Sequence, residues 1–129
     1  MKYYLDSATI IYIVEDVHPY ITSVNAKLSV SGLTLVSSEL AWLECRVKPL
    51  RLNDGKLLLE FEDYFVSMLA EVLPLTRAVV DRATDLRARY NFKTPDALHL
   101  AAALTGGCDV FLTNDQRLSR CQELRIETV

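Results

Sequence analysis

The chain has 129 residues, of which 50% are hydrophobic and 24% are charged, a composition typical of one globular domain. Its formal net charge of −3 argues against nucleic-acid binding through the charge of the whole chain, so an RNA contact would need a local basic patch or cations that bridge carboxylates to phosphates. No uninterrupted apolar run is long enough to predict a transmembrane helix, and Asp6 comes too early for a signal peptide, so we expect a cytoplasmic protein with no membrane contact.

The first part of the chain alternates short apolar runs with helical patterns. We predict strands at residues 3–5 and 33–36, separated by a helix over residues 7–15 and a second helix over residues 19–30. The second helix begins with a proline, which suits a first helical turn.

Polar residues at fixed positions predict where the next helices begin. Ser38 stands at the N-cap of a helix that includes Glu44, and Pro49 is expected to end or kink that helix. Asp54 opens a long helix, and Thr76 caps the one after it.

Three further strands and one strongly apolar helix complete the predicted elements. Residues 72–75 predict a short strand, at a sheet edge because it contains a proline. An Ala- and Leu-rich helix covers residues 94–104 and is stopped by two glycines. Residues 109–112 and 124–129 predict the last strands, with a short helix starting at Asp115 between them.

Strands that alternate with helices predict the fold class. Such a pattern implies right-handed crossovers and a mostly parallel sheet with helices on both faces, here within one domain over residues 1–129. Ligands of these sheets bind beyond the carboxyl ends of the strands. Acidic residues stand at those ends in this sequence.

Four carboxylates are the candidates for chemistry: Asp6, Glu44, Asp96 and Asp115. Asp6 and Asp115 each follow a predicted strand and precede a helix. Asp96 lies in the first turn of the apolar helix, and Glu44 lies on the helix after the second strand. Brought together, such groups would repel one another and would have to take up protons or bind a cation. Oxygen ligands favour Mg²⁺ or Mn²⁺, which could activate a water for attack on a phosphodiester.

Each of these acids also has an ordinary structural interpretation. Asp6 and Asp115 could be helix N-caps, each worth about 0.5–2 kcal/mol. Asp96 suits the positive end of its helix, and Glu44 could be a surface residue. Whether the four converge depends on the strand order, which spacing alone leaves open.

Four segments around these acids resemble the PIN-domain family, specifically the VapC-type toxins of toxin–antitoxin pairs. They are Tyr4-Leu5-Asp6-Ser7, the stretch from Ser38 to Glu44, the stretch from Thr94 to Ala103, and the stretch from Leu112 to Leu118. Their order and approximate spacing fit the family from the first predicted strand to the last. Glu44 is preferred to Glu39 as the second acid because it stands six residues after Ser38.

The resemblance implies a three-layer α/β/α fold and a Mg²⁺- or Mn²⁺-dependent endoribonuclease that cleaves tRNA, rRNA or mRNA. It also implies a homodimer inhibited by a cognate antitoxin. It places the metal on Asp6, Asp96 and Asp115, with Glu44 nearby, and Ser7 and Thr113 would orient the carboxylates. A nuclease that acts on DNA or in RNA processing without an antitoxin, and a non-catalytic interaction module, remain the alternatives.

Several other residues have two interpretations. Arg46 and Lys48, near Pro49, could receive RNA phosphates or an acidic antitoxin segment, or could form a solvated basic turn; Arg117 could contact RNA but fits a surface role better. His99 fits a packed, hydrogen-bonded histidine better than a metal or acid–base group.

The cysteines form no metal or redox motif. Cys45, Cys108 and Cys121 are widely spaced, with no CxxC pair. We therefore expect buried free thiols in a reducing compartment.

Overall fold

A parallel five-stranded sheet forms the centre of the computed structural model, which describes residues 1–129. The strands are β1 Lys2–Leu5, β2 Thr34–Ser38, β3 Glu71–Leu73, β4 Val110–Thr113 and β5 Arg125–Thr128. Their order is β3-β2-β1-β4-β5, and every neighbouring pair is parallel. The predicted parallel sheet is confirmed, as is the edge position of the third strand.

Six α-helices and one 3-10 helix connect the strands. They are α1 Ser7–Val14, α2 Tyr20–Leu28, α3 Glu39–Arg51, α4 Gly55–Ser67, α5 Arg77–Tyr90, α6 Thr94–Thr105 and the 3-10 helix Gln116–Arg120. None of them combines the length and the apolar character needed to cross a lipid bilayer.

Side chains of the central strands alternate between two hydrophobic cores. Tyr4 and Phe111 face the core formed with α5 and α6, whereas Leu5 and Leu112 face the core formed with α1, α3 and α4. This alternation is the period-two pattern of a strand buried on both faces. The predicted three-layer α/β/α arrangement is therefore confirmed.

The predicted caps at Asp54 and Thr76 are present, but two predictions for α3 need correction. Ser38 is the N-cap residue by backbone position, yet its side chain makes no capping hydrogen bond because its Oγ lies against the Tyr4 hydroxyl. Pro49 does not end the helix, which continues to Arg51. Pro49 lacks only its own helical N–H donor, and the helix continues past it, since Leu52 N still donates to Lys48 O at 3.0 Å.

The strand order creates a switch point between β1 and β4. The chain first moves outward from β1 to β2 and β3, and later returns to the other side of β1 with β4 and β5. In open parallel sheets, a crevice forms at such a point beyond the carboxyl ends of the two strands. Residues that directly follow β1 or β4 are therefore expected at the mouth of this crevice.

Candidate active site at the carboxyl end of the sheet

Asp6 follows β1 directly and reaches the switch point. Its backbone N–H donates to Leu112 O of the neighbouring strand β4 at 3.4 Å. Its Oδ1 accepts hydrogen bonds from Thr9 N at 2.9 Å and from Thr9 Oγ1 at 2.8 Å, which makes Asp6 the N-cap of α1. Both donors use the same oxygen, so the cap leaves Oδ2 available to a ligand.

Asp115 lies beyond the end of the adjacent strand, β4. The hydroxyl of the fully buried Thr113 accepts a hydrogen bond from Asp115 N at 3.1 Å and so fixes the turn. The Asp115 carboxylate accepts from Arg117 Nε at 3.0 Å and from a terminal guanidinium nitrogen of Arg117 at 2.7 Å. These hydrogen bonds from Arg117 hold the pKa of Asp115 below its ordinary value.

Asp96 occupies the first turn of α6, the helix that leads into β4. Burial raises the pKa of Asp96 above its ordinary value, and the negative charges of Asp115 and Asp6 raise it further. His99 and Arg117 offset these effects only in part, and no hydrogen bond to the carboxylate does so. The three aspartates therefore share one electrostatic environment, and Asp96 is the member whose negative charge is least compensated.

Glu44 lies on α3, in the layer of helices that packs on one face of the sheet, and Ser7 and His99 hold its carboxylate. Ser7 Oγ donates to Glu44 Oε1 at 2.6 Å, and His99 Nε2 lies 2.6 Å from the same oxygen. Burial alone would raise the pKa of Glu44, but the hydrogen bonds from His99 and Ser7 bring it below its ordinary value. The expectation of a packed, hydrogen-bonded His99 agrees with its 5% exposure.

The four acids do not form a closed metal cage. No group of three or more His, Cys, Asp or Glu side chains lies close enough together to hold a metal ion. Repulsion between carboxylates and the Arg117 ion pair on Asp115 both favour this open arrangement. The donor set still fits a hard cation, because it consists of carboxylate oxygens and includes a half-buried Asp96 without a hydrogen-bonded partner.

The predicted substrate-binding cations are all paired with acids. Arg46 lies 3.5 Å from Glu62, and Lys48 lies 2.8 Å from Glu15. Arg117 alone is beside the aspartates.

One basic residue at the site was missed by the sequence reasoning. Lys93, the residue before α6, lines a hollow next to Asp96 together with Arg117 and Arg120. The sequence signal was its position three residues before Asp96, where the backbone must lie at the same helix end.

One cysteine, Cys45, borders this site, since its Sγ donates to Ser7 O at 3.8 Å. All three are free and buried, as expected. Burial raises the pKa of Cys45 to about 12 and that of Cys108 to about 11, so both remain protonated thiols near neutral pH.

The family model of the PIN domain matches residues 3–124, which is nearly the whole chain. The chain belongs to the PIN-domain family. No protein with curated annotation matches it.

Solved structures share the fold of this PIN domain at low sequence identity. A chain in the crystal structure of VapBC2 from Rickettsia felis, bound to a DNA fragment from its promoter, superposes with a TM-score of 0.79 and 20% identity over 99% of this chain and 98% of that one. A chain of DNA-bound VapBC from Salmonella typhimurium gives 0.74 and 21% over 99% and 98%. Mycobacterium tuberculosis VapC20, described as a sarcin–ricin loop cleaving toxin, gives 0.69 and 11% over 84% and 86%. At these identities the likeness establishes the fold.

Proposed function

We propose that this PIN domain is a divalent-metal-dependent endoribonuclease and the toxin of a toxin–antitoxin pair. The observation that supports this most directly is the electrostatic coupling of three aspartates from distant segments. Burial raises the pKa of Asp96, and the negative charges of Asp115 and Asp6 raise it further. A site in which carboxylates raise the pKa of a neighbouring carboxyl group is suited to a cation.

In this proposal Asp6, Asp96 and Asp115 hold Mg²⁺ or Mn²⁺, and Glu44 acts beside them. When bound, such an ion would lower the pKa of a water and stabilise charge on a phosphate. Thr113 fixes the turn that presents Asp115, and Ser7 orients Glu44.

Arg117 would have to leave Asp115 when the cation binds. Its side chain is 65% exposed, so the ion pair is well solvated and easily exchanged. Arg117 already lines the hollow next to Asp96, together with Lys93 and Arg120. These three cations form the local basic patch that a chain with a net charge of −3 needs in order to bind RNA phosphates. Arg46 and Lys48 are weaker candidates for the same role, since Glu62 and Glu15 already engage them.

The toxin assignment is supported by the family and by the kind of complex in which similar folds occur. Two of the similar structures are VapBC complexes, and VapC20 is described as cleaving an RNA loop. By analogy, we propose that this chain acts in the cytoplasm on cellular RNA, forms a homodimer and is inhibited by an antitoxin bound over the crevice.

A cleavage assay on total cellular RNA tests the nuclease proposal. We expect cleavage with Mn²⁺ or Mg²⁺, none with EDTA, and none from Asp96→Asn. Asp81→Asn, on the exposed face of α5, is the matched control and should cleave normally. Cleavage that persists in EDTA and in Asp96→Asn would overturn the proposal.

Two further arms separate the alternatives. Equal cleavage of single-stranded DNA, together with harmless overexpression, would favour a PIN nuclease without an antitoxin. Failure to cleave any RNA or DNA in the presence of metal, by a protein with a normal melting curve, would favour a non-catalytic module.

A further inference from the structure

A chain of hydrogen bonds connects the hydrophobic core to Glu44. The hydroxyl of Tyr4, on β1, lies 2.6 Å from His99 Nδ1 and 2.7 Å from Ser38 Oγ. The other ring nitrogen, His99 Nε2, lies 2.6 Å from Glu44 Oε1. Tyr4 and Ser38 are fully buried, and His99 is 5% exposed.

Polar groups buried this deeply need a structural or functional reason, because burial of a polar group without full hydrogen bonding is unfavourable. Nothing in the fold requires a tyrosine at this position: the ring of Tyr4 stacks on Phe111 at 5.1 Å, which a phenylalanine would do equally well. The hydroxyl is therefore the feature to be explained.

Each hydrogen bond in the series from Ser38 through Tyr4 and His99 to Glu44 has one donor and one acceptor. The Glu44 carboxylate can only accept, so the proton of His99 must be on Nε2, the nitrogen that faces it. In the neutral ring Nδ1 is then bare and accepts from the Tyr4 hydroxyl, which in turn accepts from Ser38. The opposite neutral tautomer would put two lone pairs in contact at 2.6 Å, so it is excluded. Burial keeps the pKa of the Tyr4 hydroxyl far above neutrality, so Tyr4 retains its proton.

We propose that Tyr4 and His99 are positioning residues that hold the Glu44 carboxylate in one orientation beside Ser7. Tyr4 locks the His99 ring from the core side, and His99 then directs Nε2–H at Glu44. Ser7 Oγ donates to the same oxygen, Oε1, so Glu44 Oε2 is the oxygen that remains without a hydrogen bond and can take part in the reaction. This inference rests on the proposed nuclease function for its kinetic consequence, but not for its structural one.

A double-mutant cycle tests the kinetic consequence. Tyr4→Phe keeps the ring and removes the hydroxyl, and we expect it to lower kcat for RNA cleavage about tenfold while KM changes less than about twofold. In a Glu44→Gln background, Tyr4→Phe should have no further effect on kcat, because Tyr4 acts through Glu44. Tyr3→Phe is the matched control, because the Tyr3 hydroxyl donates to Glu127 and takes no part in the hydrogen bonds between Tyr4, His99 and Glu44. This variant should cleave RNA normally. An equal loss of kcat from Tyr4→Phe in both backgrounds, or no loss in either, would overturn the proposal.

Nitrogen-15 NMR of the histidine side chains tests the structural consequence without any nuclease activity. The protein has only His18 and His99, and His18 is exposed, so the two signals can be assigned by His18→Gln. We expect a His99 Nε2 proton that exchanges slowly with water in the wild type and much faster in Tyr4→Phe and in Glu44→Gln. A His99 ring that averages between tautomers like His18, or that is unchanged in both variants, would overturn the proposal. If the wild type cleaves no nucleic acid, the nuclease proposal fails, while this spectrum still decides whether Tyr4 and His99 hold Glu44.

Discussion

Asp6 provides the sharpest separation of structural support from chemistry, because its Oδ1 caps α1 while its Oδ2 accepts no hydrogen bond. Asp6→Asn keeps an oxygen that can accept from Thr9 N and Thr9 Oγ1, but it removes the negative charge. Asp6→Ala removes both. We expect both variants to lose metal-dependent cleavage and only Asp6→Ala to lose stability.

The size of the stability loss follows from the contacts of Thr9. In Asp6→Ala the Thr9 hydroxyl can still donate to Leu112 O, at 3.2 Å, so only the Thr9 backbone N–H loses its partner. One lost cap of this kind costs about 1 kcal/mol, within the usual range of about 0.5–2 kcal/mol. For a chain of this length that corresponds to a melting temperature lower by about 3–5 °C.

Differential scanning calorimetry in EDTA, combined with the RNA cleavage assay, measures both effects. We expect Asp6→Asn to melt within about 1–2 °C of the wild type and Asp6→Ala clearly below it. An active Asp6→Asn would refute the role of the charge. An Asp6→Ala as stable as the wild type would refute the assignment of the cap.

Three other substitutions have expected outcomes. Without metal, Asp96→Asn should raise the melting temperature at pH 7, because burial and Asp115 raise the pKa of Asp96 and so disfavour its ionised form in the folded protein. The difference in melting temperature should vanish as the pH falls below about 4, where the aspartic acid is as neutral as the asparagine. Calorimetry across this pH range checks the sign. Arg117→Ala should tighten Mn²⁺ binding a few-fold in a calorimetric titration, because Arg117 competes for the Asp115 oxygens. Lys93→Ala should weaken RNA binding and reduce the slope of log affinity against log salt concentration by about 0.7, the contribution of one single-strand phosphate contact. An unchanged slope would show that Lys93 contacts no RNA phosphate.

The order of the elements was predictable because local chemistry dictates it. Asp54 and Thr76 each accept a hydrogen bond from the backbone of their own first helical turn, and such contacts depend on neighbours in sequence. The alternative that Pro49 ends α3 was wrong, because the helix continues to Arg51 and loses only the hydrogen bond that the proline nitrogen cannot donate.

The side-chain network of the site was less predictable, because it depends on contacts across the sheet. Ser38 fits an N-cap by its sequence position, but its hydroxyl faces Tyr4 from the neighbouring strand, and that contact outweighs the local one. The link from Tyr4 through His99 to Glu44 joins residues of β1, α6 and α3, and no spacing along the chain encodes it.

The two interpretations of the aspartates, as helix caps and as metal ligands, are not rivals in this fold. Each cap fixes a carboxylate against a backbone that the sheet already holds in place, so Asp6 and Asp115 are oriented before any ligand arrives. Binding of an ion there would therefore cost less side-chain conformational entropy, and the ion would bind more tightly for that reason. Asp96 differs because no hydrogen bond reaches its carboxylate, while burial and the negative charges of Asp115 and Asp6 raise its pKa. In the proposed metal site, two aspartates that are held in place and one that accepts no hydrogen bond would make a site that is well oriented and less stable without its ligand, which is the trade of stability for function expected of an active site.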